Sequence, residues 1–124
     1  MRKLLFHEVP PKIWDGFVSS TEDASFYHSW IFLRYLQEFE NVINESYALF
    51  DDHKKLIAIV PIGITITSKI SEMSFSGTPC GVPSFISMRP SMKRKYFDIV
   101  MDQIHVITNY YKISKSVFAY HPLN

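Results

Sequence analysis

The sequence has one cysteine, Cys80, among its 124 residues. No internal disulfide can form, so a reducing, cytoplasmic setting is the expectation. Net charge is also scarce: 13 Lys and Arg against 12 Asp and Glu leave a formal +1. Such a balance gives no broad positive field, so nucleic acid is not expected as a partner. The apolar stretch from Leu56 to Ser68 falls short of the roughly 18 residues that a membrane-spanning helix needs, and Ile, Val and Thr dominate it. Glycine is rare. Gly16, Gly63, Gly77 and Gly81 are the only four, and none precedes a helix in a spacing that would cradle a phosphate. The lone cysteine and five scattered histidines form no ligand cluster, so no metal is expected.

What the chain does have is aromatic side chains, at 15%, with ten Phe and seven Tyr. Apolar residues make up 47% and charged ones 20%, as in ordinary globular domains. A single domain over residues 1–124 can therefore bury a core, and the aromatics belong first to that core.

Local patterns predict the elements. Lys3 to Phe6 can open a sheet, and Pro10-Pro11 stops it. Pro11 to Phe17 reads as a short helix with proline in its first turn. Ser19 to Ser25 is a loop, in which Ser20 and Asp23 have capping-box spacing. A helix is expected over His28–Glu40, with Ile31, Phe32, Leu33, Tyr35, Leu36 and Phe39 on its apolar arc and Trp30 away from it. Ser46 to Phe50 and Lys55 to Thr67 form a hairpin around the turn Asp51-Asp52-His53-Lys54. Pro61 cannot donate to a ladder, so a bulge or an edge is expected there. Glu72 to Ser76 is a further strand, Gly77 to Pro83 a loop, and Phe85 to Met88 a short strand. A second long helix covers Ser91 to Tyr111, with Phe97, Val100, Met101, Ile104, Ile107, Thr108 and Tyr111 inside. Ser116 to Tyr120 is the last strand. The order β-α-α-β-β-β-α-β predicts an α+β fold: a mainly antiparallel mixed sheet with two principal helices.

Three segments carry a family resemblance. They are Ser25-Phe26-Tyr27-His28-Ser29-Trp30 at a helix start, Leu56-Ile57-Ala58-Ile59-Val60-Pro61-Ile62 at the end of a hairpin, and Phe75-Ser76-Gly77-Thr78-Pro79-Cys80-Gly81-Val82-Pro83. In this order they resemble the first half of the FemAB-like acyltransferases, a branch of the GNAT superfamily of N-acetyltransferases. The resemblance implies a GNAT-like half-fold and N-acyl transfer to an amine, such as an amino sugar or a peptidoglycan precursor in cell-envelope biosynthesis. It also implies an acyl-CoA or aminoacyl-tRNA donor. The family's donor site is a glycine-rich turn at a helix N-terminus, which this sequence lacks. Together with the stop at His121-Pro122-Leu123-Asn124 straight after a strand, that leads us to expect the amino-terminal half of a larger enzyme, incomplete alone and without a cofactor site of its own. A sheet edge left open by a missing half would favour homo-oligomers.

Acyl transfer needs a base and oxyanion donors. Among His7, His28, His53, His105 and His121, His28 is the candidate base, because a helix N-terminus disfavours the imidazolium. His53 falls in a turn, and His105 lies near the inner stripe of the second helix. Tyr27 and Trp30, with Ser76, Gly77, Thr78 and Gly81 of the loop, are the expected acceptor-pocket residues. Cys80 has no basic neighbour in sequence and reads as inert. Arg89 and Lys93-Arg94-Lys95 read as a solvated face. The alternative function is a non-catalytic interaction domain whose aromatics form a protein interface.

Overall fold

A computed structural model of the chain describes residues 1–66, 71–75 and 83–117. Its strands are β1 (Arg2–Leu5), β2 (Ile43–Asn44), β3 (Tyr47–Phe50), β4 (Leu56–Val60), β5 (Ile62–Ile66), β6 (Ser71–Phe75), β7 (Ser84–Phe85) and β8 (Lys115–Val117). The helices are α1 (Pro11–Ser20), α2 (Trp30–Phe39) and α3 (Pro90–Tyr111), with single 3-10 turns at Phe6–Glu8 and Phe26–His28. The α+β class expected from sequence is what the chain adopts.

One hairpin organises everything. Residue pairs Tyr47–Val60 and Asn44–Gly63 share a single antiparallel register, so β2 and β3 face β5 and β4 as one long ribbon. The two ends of that ribbon have different neighbours. At one end the order is β1-β3-β4-β7, and at the other it is β2-β5-β6-β8. Among the described residues all pairings are antiparallel except β6 with β8, which is parallel and is joined through α3. The change of neighbour falls at Pro61, which is fully buried. The expected bulge is not there. Instead the hydroxyl of Ser46, opposite Pro61, accepts a hydrogen bond from the Ile62 N–H at 2.9 Å. The Glu45 N–H donates to the Ile62 carbonyl at 3.0 Å. The register shift of the hairpin occurs near its turn, between Leu49 and Phe50.

The turn works as its composition predicts. Asp51 Oδ1 accepts from the His53 and Lys55 amides at 2.8 and 2.9 Å, and Lys54 takes a left-handed conformation with φ 63°. The backbone N–H of Lys55, more than any other group, holds the Asp51 carboxyl below its ordinary range.

Helices cover both faces of the ribbon, which explains why its strands read as unbroken apolar runs. On one face α3 sets Val100, Ile104 and Ile107 against Tyr47, Leu49, Val60, Ile62 and Ile64. Phe97, Met101 and Tyr111 pack beside them, so the inner stripe expected for α3 is the observed one. The other face, around Ala48 and Ile59, is covered by Phe6, Val9, Trp14, Phe17 and Leu33. Pro11 opens α1 at its first turn, and α1 runs on past Phe17 to Ser20.

Helix α2 departs from its expected orientation. Leu33 is buried, and Trp30 and Leu36 pack against the second core. Ile31, Tyr35 and Phe39, assigned inward from periodicity, are exposed. The helix is apolar on nearly all sides, so periodicity could not fix which side turns in; Trp30, thought to lie off the core, is on it. The capping-box spacing of Ser20 and Asp23 caps nothing either. Ser20 ends α1 and donates back to the Gly16 carbonyl, and the cap of α2 is Ser29, whose hydroxyl accepts from the Phe32 N–H at 3.3 Å.

Candidate functional site

The segment between α1 and α2 carries the residues singled out from sequence. Ser25 closes the 3-10 turn over Phe26–His28. Its hydroxyl accepts from the Tyr27 N–H, and its own N–H donates to His28 Nδ1 at 3.0 Å. A backbone N–H can only donate, so Nδ1 is the acceptor and the neutral ring carries its proton on Nε2. His28 is fully buried, and its carbonyl accepts from Trp14 Nε1 at 2.7 Å. That bond ties the turn to the centre of α1.

Trp30 follows directly. Its ring stacks on Phe6, with centroids 5.8 Å apart and planes inclined by 16°. The Arg34 guanidinium lies 5.7 Å from the Trp30 ring centroid, and the backbone N–H of Trp30 donates to Asp15 Oδ1 at 2.9 Å. The aromatic is thus covered by the first 3-10 turn of the chain. Tyr27 is half-buried and meets Phe26 and Phe32 edge-on at 6.0 and 5.3 Å.

Two cavities lie nearby. The first, of about 390 Å³, opens between the end of α1 and the start of α3. Ser20, Thr21, Glu22 and Asp23 form one wall, and Phe85 to Met88 with Lys93 form the other. Across it Lys93 Nζ and Asp23 Oδ2 are 3.4 Å apart. The second, of about 380 Å³, is lined by Phe6, His7, Gln37, Val42, Ile43 and Asn44. Neither is lined by Tyr27, His28 or Trp30. The structure brings those three together in sequence and in packing, but not around one of these openings.

Ser76, Gly77, Thr78 and Gly81, together with Cys80 and His121, lie outside the described residues. His7 and His53 are exposed. His105, expected near the inner stripe of α3, is exposed instead, because Ile104 and Ile107 take the inward positions beside it. Arg89, Arg94 and Lys95 are on the surface, as a solvated face requires. Among the described residues no three His, Cys, Asp or Glu side chains are grouped to hold a metal ion, and no helix is long and apolar enough to cross a membrane.

Sequence reasoning missed the acidic wall of the first cavity, because Glu22 and Asp23 sit in a stretch that reads only as a polar loop. It also missed Tyr111 and Glu45, which are 66 positions apart. The Tyr111 hydroxyl donates to the Glu45 carboxylate. Burial, with that carboxylate beside it, pushes the phenol up to about 12.

Compared with family models, curated proteins and solved structures, the chain finds no match in any of the three.

Proposed function

We propose that these residues supply the acceptor-side face of a cytoplasmic N-acyl-transfer fold of the GNAT or FemAB-like kind. The acceptor would be an amine such as an amino sugar or a peptidoglycan precursor, and the donor an acyl-CoA or aminoacyl-tRNA. One observation supports the reading: a parallel pair, β6 and β8, joined through α3, lies at the side of an antiparallel ribbon. The cavity between α1 and α3 adds chemical support. An amine acceptor arrives as an ammonium ion, and the Asp23 carboxylate there already holds one, that of Lys93. Glu22 adds a second carboxylate to the same wall.

The test is an amide-shift titration with glucosamine and, in parallel, with its N-acetylated form. Selective shifts at residues 20–23 and Lys93 with the free amine support the reading. Equal shifts with both sugars, or none with either, remove it. Thermal unfolding with acetyl-CoA complements this. A donor held at ~100 times its dissociation constant adds about 2.7 kcal/mol, and no such shift is expected if these residues form the acceptor side alone.

A second reading, a non-catalytic interaction domain, is favoured by the apolar residues that α2 turns outward.

A further inference from the structure

Helix α2 is amphipathic in an unusual sense: it has two apolar faces. Trp30, Leu33 and Leu36 occupy the core side. The outer side is centred on Tyr35, which is 45% exposed. Ile31 and Phe39 stand one turn before it and one turn after it, 64% and 73% exposed. The Tyr35 and Phe39 rings touch, with centroids 5.4 Å apart, and Phe26, 63% exposed, extends the patch through its contact with Phe32. Apolar groups left in water in this density mark an interaction surface rather than a solvated face.

We propose that this face pairs with the same face of a second copy, as an antiparallel α2–α2 contact with a two-fold axis beside Tyr35. Three features favour a copy of this chain over another occupant. The first is symmetry. Ile31 and Phe39 are equally distant from Tyr35, so an antiparallel pairing sets Ile31 of each copy against Phe39 of the other and Tyr35 against Tyr35. A surface that meets itself must have this self-complementarity.

The second feature is charge. Arg34 and Glu38 lie on one flank of the stripe and pair within the helix at 2.8 Å. A two-fold axis across the helices keeps flanks together. At a rise of about 1.5 Å per residue, Arg34 of one copy lies only ~3 Å along the axis from Glu38 of the other. Each intrahelical pair would become half of a four-charge ring of alternating sign. An anionic membrane offers no such match, since α2 and its cap carry Arg34 against Glu38 and Glu40.

The third feature is area. Large apolar side chains present roughly 150–250 Å² each when fully exposed. The four outward residues therefore offer on the order of 400–500 Å² together at their observed exposures. With Arg34, Glu38 and Phe32 at the rim, that approaches the ~800 Å² per partner of a standard interface and exceeds what lattice contacts bury. The contact is independent of the acyl-transfer reading, because neither Glu22, Asp23 nor Lys93 takes part in it.

Sedimentation equilibrium of the full chain over a wide concentration range tests the proposal. The expected result is reversible doubling of the 14.5 kDa mass. Phe39→Glu and Ile31→Glu, both at exposed positions, should raise the dissociation constant roughly tenfold or more while the circular dichroism spectrum stays native. Glu38→Arg should weaken pairing in the same way, and the double reversal Arg34→Glu/Glu38→Arg should restore it, with the circular dichroism spectrum native in both variants, so that the change in mass is not a change in helix content. A monomer at every concentration overturns the proposal. So does a dimer indifferent to these substitutions, which would place the contact at a sheet edge such as β1, or a double reversal that stays dissociated.

Discussion

The hydroxyl of Ser46 stands opposite Pro61 and completes the backbone pairing at the point where the ribbon changes neighbours. Proline has no N–H to offer, and the next amide, that of Ile62, turns to Ser46 Oγ at 2.9 Å instead of to a carbonyl. Both side chains are fully buried, so water cannot take over. Ser46→Ala leaves the Ile62 N–H unmet and should cost about 1–3 kcal/mol. Urea unfolding should show this as a lower midpoint with an unchanged slope. Ser46→Thr, which keeps the hydroxyl, should recover part of the loss.

Trp14 gives a second prediction. Its indole N–H holds the His28 carbonyl, and its ring meets Phe6 edge-on at 5.1 Å. Trp14→Phe keeps an aromatic but strands the carbonyl in the core. The expected destabilisation is at least ~1–3 kcal/mol from that group, with an added cost for the unfilled volume. Amide exchange should speed up over Ser25 to Trp30 before it does over α3.

Tyr111 predicts a pH dependence. Its phenol is raised from 10.0 to about 12 in the folded state, by burial first and by the Glu45 carboxylate second. A raised group contributes its stability fully below its unfolded value and loses it as pH climbs through the folded one. Stability should therefore fall between about pH 10 and 12. Buried Tyr47, also raised, acts in the same direction, so the readout is the difference between the native chain and Tyr111→Phe. The variant should show the shallower decline, and its lost phenolate signal in an ultraviolet titration identifies the group.

Asp51 behaves in the opposite sense. Its carboxyl is held below 3.8, chiefly by the Lys55 N–H. Its contribution is present above the unfolded value and disappears as pH falls through the lower folded one. Asp51→Ala should lower the thermal midpoint at neutral pH, and the gap between variant and native chain should close in acid. A gap that persisted in acid would mean that the turn depends on shape and not on the carboxylate.

Which parts of this were legible in the sequence follows from how one-sided each element is. Helix α3 has charged residues on its outer side, so Val100, Ile104 and Ile107 could only face inward, and they do. The turn at Asp51 to Lys54 was equally plain, because its residues bond locally. Helix α2 was not, since Ile31, Tyr35 and Phe39 compete with Leu33 and Leu36 for the core and nothing local decides between them. The role of Pro61 was half legible: its missing donor could be read, but the Ser46 hydroxyl that compensates comes from the other arm of the hairpin. The candidate site was the least legible part. Glu22, Asp23 and Lys93 meet only because the end of α1 lies beside the start of α3, and that is a property of the whole fold.

The shared ribbon has one more consequence. A strand slipped by one residue normally turns its apolar side out on a single sheet. Here helices cover both faces, so the same slip would exchange side chains between the core under α3, with Tyr47, Val60, Ile62 and Ile64, and the core around Trp14, with Ala48 and Ile59, and would move Ser46 away from Pro61. A misaligned hairpin therefore disturbs two cores at once and loses the bond at its midpoint, so the longest pairing in the chain is fixed by packing on both of its sides.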